Sequence, residues 1–172
     1  MKKPKGSLLL WLAPLFFAML MAPPAAAANQ PVPLKYQEYT VLEMGDILFG
    51  TPRGPKQKLL SSGLLLKGKV LRSPRLKSDE IVVYRMVITC CAADALPLGI
   101  VVKLPTGIRF RDGVWVGVAG TIQLRPFDPR LKFIEPVANM VPQEKLCAYF
   151  TAAKAYPVNA PREEYLYVQY SY

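Results

Sequence analysis

Residues 81–95 constrain this chain more than any other stretch. The run 81–90 reads Ile-Val-Val-Tyr-Arg-Met-Val-Ile-Thr-Cys, dense in β-branched side chains and free of glycine and proline. Such a run makes a strand. It ends in two adjacent cysteines, Cys90 and Cys91. Residues 92–96 then have room for about one helical turn, carrying Asp94, before Pro97 and Gly99. Alternation places Val82, Tyr84, Met86, Ile88 and Cys90 on one face, and Val83, Arg85, Val87 and Thr89 on the other. The pattern predicts Cys90 pointing inward with Met86 and Ile88, and Cys91 opening the turn. Arg85 stands mid-strand among apolar neighbours, where a charge needs a partner. A carboxylate or backbone carbonyls are expected to supply it.

The surrounding sequence repeats the strand signal. Runs 63–71, 100–104, 114–124 and 131–137 also read as strands. Asp112-Gly113 marks a hairpin turn, and Gly117 and Gly120 mark bulges or kinks in the long fourth strand. The expected fold is mainly β: a small five-stranded OB-like barrel, with a short helical turn after the second strand. An open β-sandwich is the alternative. A peripheral helix is predicted over 142–154, where Leu146, Tyr149, Phe150 and Ala153 recur at helical spacing. Residues 35–49 are ambiguous, and 51–58, with Pro52, Gly54 and Pro55, read as a loop. The tail holds Tyr165, Leu166, Tyr167, Val168, Tyr170 and Tyr172. It is expected as a strand covering the sheet edge, with strand addition to a partner as the alternative.

The N-terminus sets the expected compartment. Lys2, Lys3 and Lys5 precede an apolar stretch over 8–22, and Ala26-Ala27-Ala28 offers a small-residue cleavage site. These are the three parts of a secretory signal peptide. The apolar stretch is short against the ~20 residues of a spanning helix. The chain is therefore expected to be exported, periplasmic or on the outer face of the cytoplasmic membrane, with an N-terminal anchor if the signal stays uncleaved. The predicted organisation is a signal over 1–28, an extension and loop over 29–62, an OB-like domain over 63–140, and a helix with a tyrosine-rich tail over 141–172. Cleavage removes 28 of 172 residues and three lysines from the +10 charge, leaving 144 residues at +7. That length suffices for one domain with a core. The charge suits an anionic membrane surface or an acidic partner. Lys67, Lys69, Arg72, Arg75 and Lys77 are the candidate anionic contacts. Nucleic acid, with Tyr84 or Phe110 stacking bases, is a poor fit to an exported chain.

The chemistry narrows quickly. The sequence has no histidine, so the usual general base, proton shuttle and commonest metal ligand are missing. No catalysis is expected. Helical spacing brings Asp94 back over Cys90 and Cys91. With Cys147, these residues are the candidate metal ligands, and thiolates with one carboxylate suit zinc or copper(I). Two alternatives stay open. Cys91 at a helix start could be a redox thiol of lowered pKa. The cysteines could also be buried and structural, or Cys147 could bridge to one of the pair. A bond between Cys90 and Cys91 themselves would need strained geometry.

Several segments resemble one family. They are Gly68-Lys69-Val70, the run from Arg85 through Thr89 to Ala95 with its Cys-Cys-Ala-Ala-Asp-Ala core, Pro97-Leu98-Gly99, and Trp115-Val116-Gly117-Val118-Ala119-Gly120. Over about residues 63–140 the chain resembles the extracytoplasmic C-terminal domain of the YcgQ-like family, membrane proteins encoded beside a permease of the YcgR type. The resemblance implies Arg85, Thr89, Ala95, Trp115 and Gly120 as motif positions. It implies an envelope protein working with a YcgR-type permease, in metal-ion handling. It supplies no catalytic reaction.

Overall fold

The computed structural model describes residues 36–50, 56–140 and 146–168. The predicted signal over 1–28 lies outside them. Among the described residues seven strands form, β1 (Gln37–Tyr39), β2 (Leu64–Leu71), β3 (Glu80–Ile88), β4 (Leu96–Lys103), β5 (Trp115–Pro126), β6 (Leu146–Pro157) and β7 (Tyr165–Tyr167). Three short helices accompany them, α1 (Val41–Gly45), α2 (Lys56–Ser61) and α3 (Glu135–Met140). Among the described residues no helix is long and apolar enough to cross a membrane.

Strands β2 to β6 close a five-stranded mixed barrel in the order β2-β3-β4-β6-β5, with β5 returning to β2. All neighbours are antiparallel except β4 and β6, which run parallel from Val101↔Tyr149 to Lys103↔Thr151. This is the expected OB-like barrel. Alternation fills its interior: Leu66, Val83, Ile100, Val118, Ile122 and Phe150 are each at most 1% exposed. Closure is tight between β5 and β6, where the register shifts at Ala119/Gly120. A Cβ on Gly120 would sit 2.0 Å from the Thr151 carbonyl oxygen. Only glycine lets the two backbones approach so closely there. Gly113, at φ 75°, turns the chain into β5 as its Asp-Gly signal predicts.

The barrel's weak seam lies between β2 and β3. These strands pair only at Lys69↔Tyr84, Val70↔Val83 and Leu71↔Val82. Beyond that they splay, and each recruits a short parallel strand. β1 adds to β2 at Leu64–Leu66, and β7 adds to β3 at Met86–Ile88. The tail thus covers a sheet edge over 165–167, and its continuation over 169–172 lies outside the described residues. The ambiguous segment 35–49 resolves into β1, α1 and a π-helical turn over Asp46–Gly50. Thr40 starts α1 by a capping box with Glu43, each accepting from the other's backbone N–H. Part of the predicted loop over 51–58 is instead the start of α2, with Leu59 buried at 1% exposure.

Two elements differ from the sequence expectation. Residues 131–137 are not a strand but a 3-10 turn (Pro129–Phe133) followed by α3. Asp128 caps the turn by accepting from the Arg130 N–H, with Pro129 at the first position. Leu131, Ile134 and Val137 recur every third residue and bury one face against Val82 and Val101. Residues 146–157 are not a helix but β6, the fifth barrel strand. Ala148, Phe150 and Ala152 point into the barrel at strand spacing, while Cys147 and Tyr149 face the second core. Pairing with β4 on one side and β5 on the other outweighs the helix preference of the alanines. The barrel therefore runs past the predicted domain boundary at 140, and α3 is the peripheral helix.

Candidate metal centre

The strand β3 ends at Ile88, and residues 89–91 bend away from the sheet. The Asp94 N–H donates to the Cys91 carbonyl at 3.0 Å, closing the 3-10 turn Ala92–Asp94. That closure brings the Asp94 carboxylate back over both cysteines. The Cys90 thiol donates to Asp94 Oδ2, and the Cys91 thiol donates to the same oxygen at 3.3 Å. One ligand atom from each residue lies within 4.8 Å of the others, and all three residues are exposed.

The inward orientation expected for Cys90 is not found. Both faces of β3 are buried, with Ile81 and Val83 inside the barrel and Val82 and Tyr84 against the second core. Strand alternation stops at Ile88, so Cys90 leaves the sheet with the turn. Cys147 does not join the group. It is 1% exposed on β6, and all three thiols are free.

Electrostatics separate the thiols. The hydrogen bond that Cys90 gives to Asp94, followed by its side-chain interaction with Cys91, holds the Cys90 pKa above the ordinary thiol value. The same two thiols hold the Asp94 carboxyl below the ordinary carboxylate range. Burial pushes the Cys147 thiol up to about 12. A redox nucleophile needs its thiolate stabilised. Cys90 and Cys147 are both held the other way.

Three of the remaining motif residues, Arg85, Trp115 and Gly120, explain themselves as structure. Arg85 is 8% exposed. Its Nη2 donates to the Glu163 carbonyl at 2.7 Å and its Nε to the Glu164 carbonyl at 3.2 Å. Its guanidinium lies 5.0 Å from the Trp115 ring centroid, with Lys69 Nζ 5.6 Å from that centroid. Lys69 also pairs with Glu164 at 2.7 Å. Carbonyls thus satisfy the mid-strand charge as expected, and the clamp fastens the segment leading into β7. Gly120 makes the close approach described above. Thr89 is exposed and Ala95 half-buried beside the thiol turn.

The five candidate anionic contacts divide. Lys67 pairs with Glu38 at 2.9 Å and Lys69 with Glu164, so both serve the seam. Arg72, Arg75 and Lys77 are exposed on the β2–β3 loop. Arg75 lies 4.4 Å from the ring centroid of Phe133, which is 68% exposed. OB-folds commonly take ligands on the face of their second and third strands. Here those strands are β3 and β4, and the turn and helix over 129–140 cover that face. Asn139 donates to the Pro97 carbonyl at 3.0 Å, and a Cβ on Gly99 would lie 2.9 Å from Pro136 Cβ. Tyr84 packs in the second core and Phe110 against the first, so neither offers a free stacking platform. Sequence reading missed this cover. The three-residue apolar spacing after the capping Asp128 was the signal for it.

Comparison with known families gives one match. The DUF1980 C-terminal domain matches residues 56–168, more than half of the chain. No curated protein matches. Among solved structures, the chain is similar to a Leishmania major Friedlin protein assigned as an aspartyl-tRNA synthetase. The TM-score is 0.38 at 8% identity, over 77% of this chain and 23% of that one. The chain spans less than a quarter of that protein's length, and so weak a likeness carries no argument.

Proposed function

This chain belongs to the DUF1980 C-terminal domain family, and from that premise we propose that it is a non-enzymatic, extracytoplasmic accessory domain of a membrane permease system, binding a thiophilic metal ion at Cys90, Cys91 and Asp94. The observation that carries the reading is the gathering of two thiols and one carboxylate within 4.8 Å on an exposed turn. Structural cysteines belong in a core, and these stand in solvent. Thiolates with a carboxylate favour zinc or copper(I) over magnesium or calcium. Binding would replace the two thiol protons now shared with Asp94, so the ligands are already grouped before the ion arrives. The signal-like segment over 1–28 supports export. The finer likeness to YcgQ-like proteins supports a YcgR-type permease as the partner, and the basic loop at Arg72, Arg75 and Lys77 supports contact with an anionic membrane surface.

The test is metal content of the protein from Asn29 onward, purified under reducing conditions and titrated with zinc or copper(I). One equivalent is expected. Cys91→Ser should weaken binding by about 100-fold or more, roughly 2.7 kcal/mol, while the thermal transition stays put. If the metal-replete wild type takes up no ion, the reading is lost and the thiols are structural or redox-linked.

A further inference from the structure

Among the described residues the thiol–carboxylate set is one ligand short of a closed site. Cys90, Cys91 and Asp94 come from five consecutive residues, and among the described residues no fourth Cys, Asp or Glu joins their group. The chain has no histidine, and Cys147 is sealed in the second core. Structural zinc sites are closed by four protein ligands, whereas three-ligand sites keep a position for an exogenous group. Among the described residues the surroundings leave that position open. All three ligand residues are exposed. On either side of the end of β3 stand Leu96, paired with Val87, and Tyr167, paired with Ile88, at 49% and 60% exposure.

We propose that the Cys90–Asp94 turn is an open metal site, whose ion takes its fourth ligand from one soft donor, a thiolate or an imidazole, on a different protein. This rests on the metal-binding reading above and adds what completes the ion's coordination. A second copy of this chain is a poorer donor. It brings three ligands where one is needed and repeats a net charge of +7, the +10 of the whole sequence less the three lysines of residues 1–28. The exchange is balanced without redox chemistry. The incoming donor forms one metal–nitrogen or metal–sulfur bond and displaces one water to solvent, and an incoming thiol gives its proton to water.

Cobalt(II) is a spectroscopic stand-in for zinc, and imidazole stands in for the donor. The protein from Asn29 onward is loaded anaerobically with cobalt(II), and imidazole is titrated in. Mass under native conditions is followed together with the d–d and thiolate-to-cobalt bands. The expected result is one cobalt per monomer with a two-thiolate charge-transfer band, and a saturable d–d shift as one imidazole binds. Cys91→Ser should remove about half of the charge-transfer intensity. A spectrum indifferent to imidazole would mean a closed site and overturn the inference while leaving metal binding intact. Two chains around one cobalt with a four-thiolate band would assign the completing ligands to a second copy, and would also overturn it. Absence of any cobalt or zinc uptake would remove the metal reading itself, a failure distinct from the other two.

Discussion

Cys147 and Cys90 carry the same side chain in opposite surroundings. Cys147 is 1% exposed, in a core with Val101, Leu131 and Ile134. Cys90 stands exposed on a turn. Both thiols are held neutral, by different causes. At Cys147 burial pushes the pKa up to about 12, whereas at Cys90 the leading cause is a hydrogen bond to the Asp94 carboxylate. Desolvation penalises every charge and gives a ligand no access. A carboxylate acts through one bond, and is itself a metal ligand. One thiol therefore belongs to the fold, and the other is free for chemistry.

The sharpest way to break this comparison is the same substitution at both places. Cys147→Asp puts an unpaired carboxylate among apolar side chains, and should cost more than about 3 kcal/mol or abolish folding. Cys90→Asp should change stability by less than about 1 kcal/mol, because the new charge stays in water. Urea unfolding of the two variants at pH 7 decides it. Similar losses at both positions would mean that the turn is as integral to the fold as the second core.

Alkaline pH reads the same contrast from the folded side. The folded pKa of Cys147 is raised from the ordinary 9.0 to about 12, chiefly by burial. The unfolded chain therefore releases this proton first as pH rises. The stabilisation is whole below pH 9.0 and is lost progressively toward about 12. At about 1.4 kcal/mol per pKa unit the loss amounts to a few kcal/mol. Tyr149, on the same strand and also raised to about 12 by burial, adds in the same direction. Cys147→Ala should flatten the stability curve over that window. A slope unchanged from wild type in Cys147→Ala would show that burial of Cys147 does not set its protonation.

How legible these two regions were in the sequence follows from the range of the forces that make them. The thiol turn was readable because it is local. Cys90, Cys91 and Asp94 lie within five residues, and the spacing that predicted their meeting is the spacing that closes the 3-10 turn. The barrel was readable because β2, β3, β4 and β5 carry strand patterns, and Gly120 marks the bulge. The second core was not readable. Leu146, Tyr149, Phe150 and Ala153 fit a helix as well as Ala148, Phe150 and Ala152 fit a strand, and only the presence of β4 and β5 on either side selects the strand. The orientation of Cys90 failed for a related reason. Alternation was carried two residues past the end of β3, whose two faces are both buried. Arg85 shows the intermediate case. Its need for a partner was local information, but the carbonyls of Glu163 and Glu164 lie almost eighty residues away along the chain, at separations of 78 and 79.

The smallest expected effect tests the carboxylate alone. Asp94→Asn keeps the shape of the turn and removes the charge that opposes a Cys90 thiolate. The Cys90 pKa should fall back toward the ordinary 9.0, so more thiolate is present at pH 8. Its alkylation by iodoacetamide should then speed up by about two- to tenfold, the lower nucleophilicity of the more acidic thiol offsetting part of the gain. Cys147 should stay unmodified in wild type and variant until denaturant is added, since burial and not Asp94 protects it. Mass spectrometry of each cysteine after timed alkylation gives both rates in one experiment. An unchanged Cys90 rate would mean that the carboxylate does not hold this thiol in solution. Exposure alone would then separate the two regions, and the grouping of ligands before the ion arrives would lose its support.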